Sequence, residues 1–317
     1  MTTRSWTGIP LRMPHRLPSP VPELAFIVRY LLARIRWPHS RRRDFILSYL
    51  LHVSVLRRLP VSRVFYNDVL FRLKTGPTLK SPLAIRVSDK ELVKGYIAEV
   101  VGEKYNVPTL AILTTPEEVD AFDFPARCII KPTHASAELM PRRSGESLDI
   151  KRIKAWLKVD FSEQSYEANY RSLVPKIIVE PWVFDGEDIV EFSVLCLDGK
   201  ARVIYASADR FDKYAVVNFD TDWNELPYTS YEAIRGQFEK PKHLAEIISV
   251  AERLAKDFFL VRIDTYYDGN TIKCGEITNC PGAGLCIFIP RDAELIHSRI
   301  SFSEISDEAW DKFFDGE

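Results

Sequence analysis

The five cysteines of this 317-residue chain, Cys128, Cys196, Cys274, Cys280 and Cys286, show no C-x-x-C spacing. Most fall inside apolar, strand-like runs, so they read as reduced core residues of a cytosolic protein rather than as a disulfide framework or a zinc site. Net charge is nearly absent too, at −1. A chain so balanced exerts no overall attraction on nucleic acid, which is therefore not an expected partner, and any charged ligand must be met locally. Internal repeats and low-complexity segments are missing. So is an apolar run long enough for a membrane span or a signal peptide, because arginines interrupt the stretch Leu24–Trp37 too soon.

What is present suffices for a substantial core: 46% hydrophobic and 12% aromatic residues, over a length that fits two or three lobes. The N-terminus departs from the general neutrality. Nine arginines and a single acid, Glu23, lie between Met1 and Arg43. Leu24–Trp37 reads as one helix and Asp44–Leu59 as a second. Two placements are open for this basic helical extension: packed on the body with its arginines solvated, or in peripheral contact with the inner face of an anionic membrane.

Further along, Ser88-Asp89-Lys90-Glu91 forms a capping-box pattern, with Ser88 expected to cap and Glu91 to reach back. Leu92, Val93, Tyr96, Ile97, Val100 and Val101 supply the helical stripe that follows. Lys90 then stands in a first turn, where a cation opposes the helix dipole unless an anion is near. Arg127–Pro132 opens a smaller lobe that runs to about Val183. It holds an amphipathic helix over Asp149–Val159 and, over Asp160–Ser172, an aperiodic segment read as a mobile loop. Glu191–Leu197 and Arg202–Ser207 form a hairpin through Asp198-Gly199, and Pro241 precedes another helix.

The chemistry concentrates near the C-terminal end. Alternating apolar residues flank Asp268-Gly269, a dipeptide suited to a tight turn, so Asp264 and Glu276 fall on paired strands. Two carboxylates so placed can share Mg²⁺, a hard cation that takes few protein oxygens and fills its octahedron with water and nucleotide phosphate. The alternative is a hairpin bearing two solvated acids. Arg262 lies at strand spacing from Asp264, hence on the same face.

The run Arg262-Ile263-Asp264 through Gly275-Glu276-Ile277-Thr278-Asn279-Cys280-Pro281-Gly282 resembles the metal-binding end of the ATP-grasp superfamily. Cys128-Ile129-Ile130-Lys131-Pro132 resembles its lysine strand, and Lys176–Val183 its adenine strand and hinge. Val87–Lys90, Val101–Tyr105, Ala208–Phe211, Asn218–Asn224 and Glu239–Pro241 narrow the resemblance to the TupA-like ATP-grasp proteins of teichuronopeptide and other surface-polysaccharide synthesis. The match is collinear over roughly residues 66–290, and several motifs in order are far more specific than any one.

The resemblance implies an α+β ATP-grasp fold, two lobes with nucleotide between them. Segments 1–65, 66–125, 126–183, 184–300 and 301–317 are then the basic extension, the first part of the body, the small lobe, the large metal-bearing lobe and a tail. It further implies ATP and Mg²⁺ or Mn²⁺ as cofactors. Lys131 and Lys90 would meet the phosphates. Glu180, Pro181, Trp182 and Val183 would form the adenine hinge, and Glu191, with Glu187 competing, would hold the ribose. Asp264 and Glu276 would bind metal, with Thr278 as third ligand in place of Asn279, which points to the other strand face. Arg262 would face the reacting phosphoryl or acyl group, with Arg210 a second candidate for a substrate carboxylate; surface ion pairing is the plainer reading of either. The family's glycine-rich loop is replaced by Thr133-His134-Ala135-Ser136-Ala137-Glu138. His134 and Ser136 stand there beside the nucleotide, His134 with a structural role as its alternative. Alanine loses easy access to positive φ, and Glu138 is expected to bring negative charge near the triphosphate.

The function implied is a carboxylate–amine ligase that forms an amide through an acyl phosphate, joining an amino acid or peptide to a uronic-acid glycan or its precursor. A phosphotransferase, a peptide ligase of secondary metabolism and a degenerate nucleotide-binding protein remain as alternatives.

Overall fold

The computed structural model describes residues 40–184, 190–208, 215–229 and 236–315. The expected helix Leu24–Trp37, Glu187 and Arg210 lie outside them. Ten helices are described: α1 (Arg41–Leu56), α2 (Tyr66–Thr75), α3 (Pro82–Ser88), α4 (Leu92–Val100), α5 (Pro116–Ala121), α6 (Ile150–Trp156), α7 (Ser162–Ser165), α8 (Leu244–Ala255), α9 (Ala293–Ser301) and α10 (Asp307–Asp315). Strands β1 (Ala111–Leu113), β2 (Cys128–Pro132), β3 (Met140–Arg142) and β4 (Ile177–Pro181) make one antiparallel sheet in the order β1-β4-β2-β3. A second sheet has the order β7-β6-β5-β8-β9, from β5 (Val190–Leu197), β6 (Lys200–Ala208), β7 (Ala215–Phe219), β8 (Leu260–Tyr267) and β9 (Ile272–Thr278). The smaller sheet takes in β1, from ahead of residue 126.

Alternation along the strands of the larger sheet decides what each face does. Phe192, Val194 and Cys196 of β5, with Val261 and Ile263 of β8, are buried on one face against Leu244, Ile247, Ala251 and Leu254 of α8. Fully burying each aliphatic side chain of this kind contributes about 1.5–3 kcal/mol. The opposite face is divided. At one end Leu195, Leu197, Val203 and Leu260 pack against Tyr66, Leu70 and Leu73 of α2. At the other end stand Glu191 and Ser193 of β5, Ser207 of β6, Asp264 of β8 and Glu276 of β9, joined by strand register.

The tight turns follow their sequence signals. Asp198 and Gly199 both have positive φ, at 49° and 68°, between β5 and β6. Between β8 and β9 the Asp268 carboxylate accepts from the amides of Asn270 and Thr271, and Gly269 has φ 96°. All five cysteines are buried and unbridged.

The N-terminal region holds to the body through α1, which begins three residues ahead of the expected Asp44. Leu47, Leu51 and Val55 are buried. The Asp68 carboxylate pairs with Arg58 at 2.8 Å, with His52 Nε2 lying 3.2 Å away, and Arg58 also reaches Glu294 at 2.7 Å. Among the described residues no helix is long and apolar enough to cross a membrane.

Two sequence expectations fail here. Residues 160–172 are a packed connection: α7 and a 3₁₀ turn over Ala168–Tyr170 bury Ser162, Ser165, Tyr166, Glu167 and Asn169. Ser88 is no N-cap. It ends α3, donating to the Ala84 carbonyl at 2.7 Å, while the Asp89 carboxylate accepts the amides of Glu91 and Leu92 at 2.8 and 3.1 Å and so caps α4.

Candidate active site

Asp264 and Glu276 are direct partners across β8 and β9, and Arg262 is paired with Thr278 one step along. The register breaks immediately beyond, between Asp264 and Thr265, where Gly275 is the extra residue of a bulge. An added Cβ at Gly275 would stand 2.5 Å from the Tyr266 ring, so a larger residue there would have to displace that ring. Arg262 lays its fork on Asp264, Nε to Oδ1 and Nη2 to Oδ2 both at 2.7 Å, and Nη2 also donates to Thr278 Oγ1 at 3.2 Å. Thr278 Oγ1 lies 3.4 Å from Asp264 Oδ2. Asn279 is turned away and donates to the Ala84 carbonyl and the Ser88 hydroxyl at 3.0 and 2.9 Å.

The smaller sheet supplies the cations. Lys131 and Ile129 of β2 share a face with Glu180 and Ile178 of β4. Cys128 and Ile130 point the other way, into a core with Ile153 and Trp156 of α6. Glu180, 5% exposed, is held between two ammonium groups, Lys131 at 2.6 Å and Lys94 of α4 at 2.6 Å. Burial alone would push the Glu180 carboxyl up, but the two lysines outweigh it and hold it below its ordinary value. For Lys131 burial works downward and is overcome by Glu180, Tyr266 and Glu276, so its ammonium is held up. Lys94 is held low by burial, with Lys131 adding to the effect and Glu180 opposing it.

Between the sheets, Asp89, Thr133 and Lys176 tie the start of α4 to the end of the lysine strand. Thr133 donates to Asp89 at 3.1 Å, Lys176 stands 3.3 Å from Asp89, and the Lys90 amide donates to the Thr133 carbonyl at 3.1 Å. The Lys90 ammonium donates to the Ala135 carbonyl at 2.5 Å, which fixes it over the loop that follows β2. Ser136 is half-buried in that loop. His134 is buried at 2% exposure without a hydrogen-bond partner of good geometry for either ring nitrogen, and burial lowers its pKa. Glu138 corrects its expectation. Its carboxylate is turned onto α6, taking Arg152 at 2.6 Å and Trp156 Nε1 at 3.1 Å, so its charge is neutralised away from the Lys131 face. Ala137 sits at φ 62°, in the region that sequence reasoning reserved for glycine.

Of the expected adenine hinge, Glu180 and Pro181 end β4, and the guanidinium groups of Arg127 and Arg143 lie 5.5 and 5.8 Å from the Trp182 ring centre. Val183 follows, half-buried, and Glu191 is buried on the polar sheet face.

Several side chains at this site escaped the sequence reading. Lys94 had a signal: it lies four residues after Lys90, on the same helix face. Tyr266 lies two residues after Asp264 on the same strand face. Glu167 had none. It is 4% exposed, and its pKa is pushed up to about 7 by burial first, against Lys74 and Ser165, with Glu276 adding to the rise.

Among the described residues no group of three His, Cys, Asp or Glu side chains gathers at a metal-sized site. The pair Asp264 and Glu276 nevertheless fits Mg²⁺, which needs only one or two carboxylates when phosphate and water complete its shell. Each Asp264 oxygen engaged by Arg262 keeps a further lone pair for a metal.

The family model described as TupA-like ATPgrasp matches residues 71–298. The chain belongs to the TupA-like ATP-grasp family. Its two facing antiparallel sheets and helices are therefore an ATP-grasp fold, with α1 standing ahead of the matched region. Among solved structures it is similar to the D-alanine–D-alanine ligase of Helicobacter pylori, at 15% identity over 69% of this chain and 62% of that one, TM-score 0.38. The L-amino acid ligase of Bacillus licheniformis is 12% identical over 77% and 58%, TM-score 0.44. The D-alanine–D-alanine ligase of Bacillus anthracis complexed with ATP is 15% identical over 68% and 62%, TM-score 0.36. The chain thus spans less than two thirds of the length of each. No curated protein matches it.

Proposed function

We propose that this TupA-like ATP-grasp protein is an ATP-dependent carboxylate–amine ligase that joins an amino acid or short peptide to a uronic-acid glycan or its precursor. The observation that carries the reading is the register pair of Asp264 and Glu276, with the Arg262 fork beside it, set opposite the Lys131–Glu180–Lys94 triad. Metal bound by Asp264 and Glu276, with Thr278 beside them, would neutralise charge on phosphate oxygens. The rest falls to the chain. Lys131 and Lys90 compensate phosphate charge, and Glu180 keeps Lys131 protonated and fixed in direction. The segment 180–183 presents backbone groups to adenine, and Glu191 faces the ribose.

In the reaction the substrate carboxylate takes the γ-phosphoryl group to give an acyl phosphate and ADP. An amine then adds to the acyl carbon, phosphate leaves, and the amine gives up a proton. Arg262 is placed to hold two oxygens of the reacting group with its planar fork, exchanging part of its grip on Asp264. The test is interception. With ATP, magnesium and an acid substrate, hydroxylamine should yield a hydroxamate, and ADP formation should require the acid. A stable phosphoester in place of the hydroxamate would make the protein a phosphotransferase. Nucleotide binding without turnover of any candidate acid would make it a binding protein.

A further inference from the structure

Ser88 and Asp89 make the corner between α3 and α4, and their side chains tie down different parts of the molecule. The Ser88 hydroxyl donates to the Ala84 carbonyl at 2.7 Å and accepts from Nδ2 of Asn279 at 2.9 Å and of Asn169 at 2.7 Å. Its one proton and both lone pairs are thereby used. Asn279 directly follows the carboxylate strand β9, and Asn169 lies in the packed connection that leads to β4. The Asp89 carboxylate divides its oxygens. Oδ1 caps α4, whereas Oδ2 accepts from the Thr133 hydroxyl and stands 3.3 Å from the Lys176 ammonium. Thr133 directly follows the lysine strand β2 and Lys176 directly precedes β4, and these are the two central strands of the smaller sheet. Neighbouring residues thus hold the carboxylate strand of one sheet and the middle of the other.

α4, which starts at this corner, repeats the division. Val93, Tyr96 and Ile97 are buried in the core that α8 shares with the larger sheet, and the Tyr96 hydroxyl donates to the Leu254 carbonyl at 2.9 Å. Lys90 and Lys94 reach the other way, Lys90 to the Ala135 carbonyl beyond β2 and Lys94 to Glu180 of β4. A path therefore joins the two sheets from Asn279 to Ser88, along the chain to Asp89 and on to Thr133, with every member at most 8% exposed. Satisfied polar networks at such burial are rigid, because in a low dielectric a group that loses its partner is costly. A nucleotide gripped by carboxylates of one sheet and lysines of the other depends on that rigidity, since a misplacement of about 1 Å can cost roughly 10²-fold in rate.

We propose that Ser88, Asp89 and Asn279 are positioning residues of the ligase, which set the separation at which the Asp264–Glu276 pair and Lys90 with Lys131 meet one magnesium–nucleotide. The assignment rests on the nucleotide site proposed above, yet none of the three residues has a nucleotide contact in that site. Two variants separate this role from simple support of the fold. Asp89→Asn keeps an oxygen for the α4 amides but sets an NH2 group against the Lys176 ammonium, and Ser88→Ala leaves the Asn169 and Asn279 amides without their shared acceptor. Val55→Ala, which truncates a buried side chain of α1 that has no part in this path, is the control for lost stability.

Calorimetric titration with magnesium–ATP, at a temperature where all four proteins are folded, should show affinity at least fivefold weaker in Asp89→Asn and Ser88→Ala and within twofold of the parent in Val55→Ala. Hydrogen exchange read by mass spectrometry without nucleotide gives an independent measure. In Ser88→Ala, protection should fall both at the end of β9 and at the end of β2. Parent-like affinity in both corner variants overturns the proposal, as does an equal loss of affinity in Val55→Ala. Exchange that quickens at the end of β9 alone also overturns it, because the corner would then not couple the sheets. If the parent binds no magnesium–ATP while Ser88→Ala loosens both strand ends, the nucleotide reading falls and the coupling of the two strands stands.

Discussion

Arg262 and Asp264, two residues apart on one strand, form a closed two-point ion pair, and Glu276 faces the same carboxylate from the next strand. The arrangement gives Asp264 two possible cationic partners, the guanidinium and a metal. Asp264→Asn keeps the shape but removes the charge that both would use, and Glu276→Gln removes the opposing one. Each should lower magnesium-dependent turnover by about 10³-fold or more, equivalent to several kcal/mol of lost charge stabilisation. Unfolding temperature should fall more for Asp264→Asn, which leaves the half-buried Arg262 guanidinium without its carboxylate, than for Glu276→Gln, so turnover is compared on protein shown to be folded at the assay temperature. Near-normal kinetics in both variants at saturating ATP and limiting Mg²⁺ would remove these residues from the metal site.

Glu180 is the single carboxylate between Lys131 and Lys94, so Glu180→Gln leaves two buried cations facing each other. Removing one partner from a buried ion pair typically costs about 3–5 kcal/mol. The pH dependence follows from the lowered Glu180 pKa. Its contribution is complete above the ordinary carboxylate range and is lost as pH falls through the lower folded value. The deficit of the variant, read by denaturant unfolding, should therefore be largest near neutrality and shrink in acid. A deficit independent of pH would mean that the carboxylate charge is not what Glu180 contributes.

The β8–β9 hairpin was legible in the sequence because its signals are local: strand alternation and Asp268-Gly269 fix register, and register pairs Asp264 with Glu276. The Lys131–Glu180–Lys94 triad was not legible, since it depends on β2 pairing with β4 across intervening β3, α6 and α7, and on where α4 docks. Ser88 and Asp89 are both good caps. The choice between them was made by α3, which draws Ser88 into its last turn and buries its hydroxyl against Asn169 and Asn279. The segment 160–172 has no helical period because it buries Tyr166, Glu167 and Asn169 through successive turns. Glu138 was misplaced for a similar reason: its partners, Arg152 and Trp156, lie on a helix whose packing sequence spacing does not disclose.

Glu167 should weaken the fold above neutral pH. Its pKa rises from 4.5 to about 7 on folding, mainly through burial. Below 4.5 both states hold the proton. As pH rises toward 7 the unfolded chain ionises and the folded one does not, so stability falls across that window and levels off beyond it. Glu167→Gln lacks this titration and should exceed the parent by about 2–3 kcal/mol at pH 8 while matching it near pH 4. Unfolding measured at pH 4.5, 6 and 8 checks the slope. A constant difference between the two proteins would show that the carboxyl ionises equally in both states.

The two alanines of the loop that follows β2 are not equivalent, and substituting them one at a time should give opposite signs. Ala137 is exposed at φ 62°, a conformation that costs an L-residue with a Cβ roughly 1–2 kcal/mol. Ala137→Gly removes that cost and gives back about 0.4–1 kcal/mol through a more mobile unfolded chain, so stability should rise by up to about 1 kcal/mol. Ala135 has no positive φ. It is buried at 2% exposure, and its carbonyl accepts the Lys90 ammonium at 2.5 Å. Ala135→Gly therefore loses buried contact and loosens the segment that fixes Lys90, with an expected loss of about 1–2 kcal/mol and weaker nucleotide binding. The double variant should lie between the two. Denaturant unfolding with parallel magnesium–ATP titration of all three proteins checks the order, and a stabilising Ala135→Gly or a destabilising Ala137→Gly would mean that nucleotide reshapes this loop away from the conformation described.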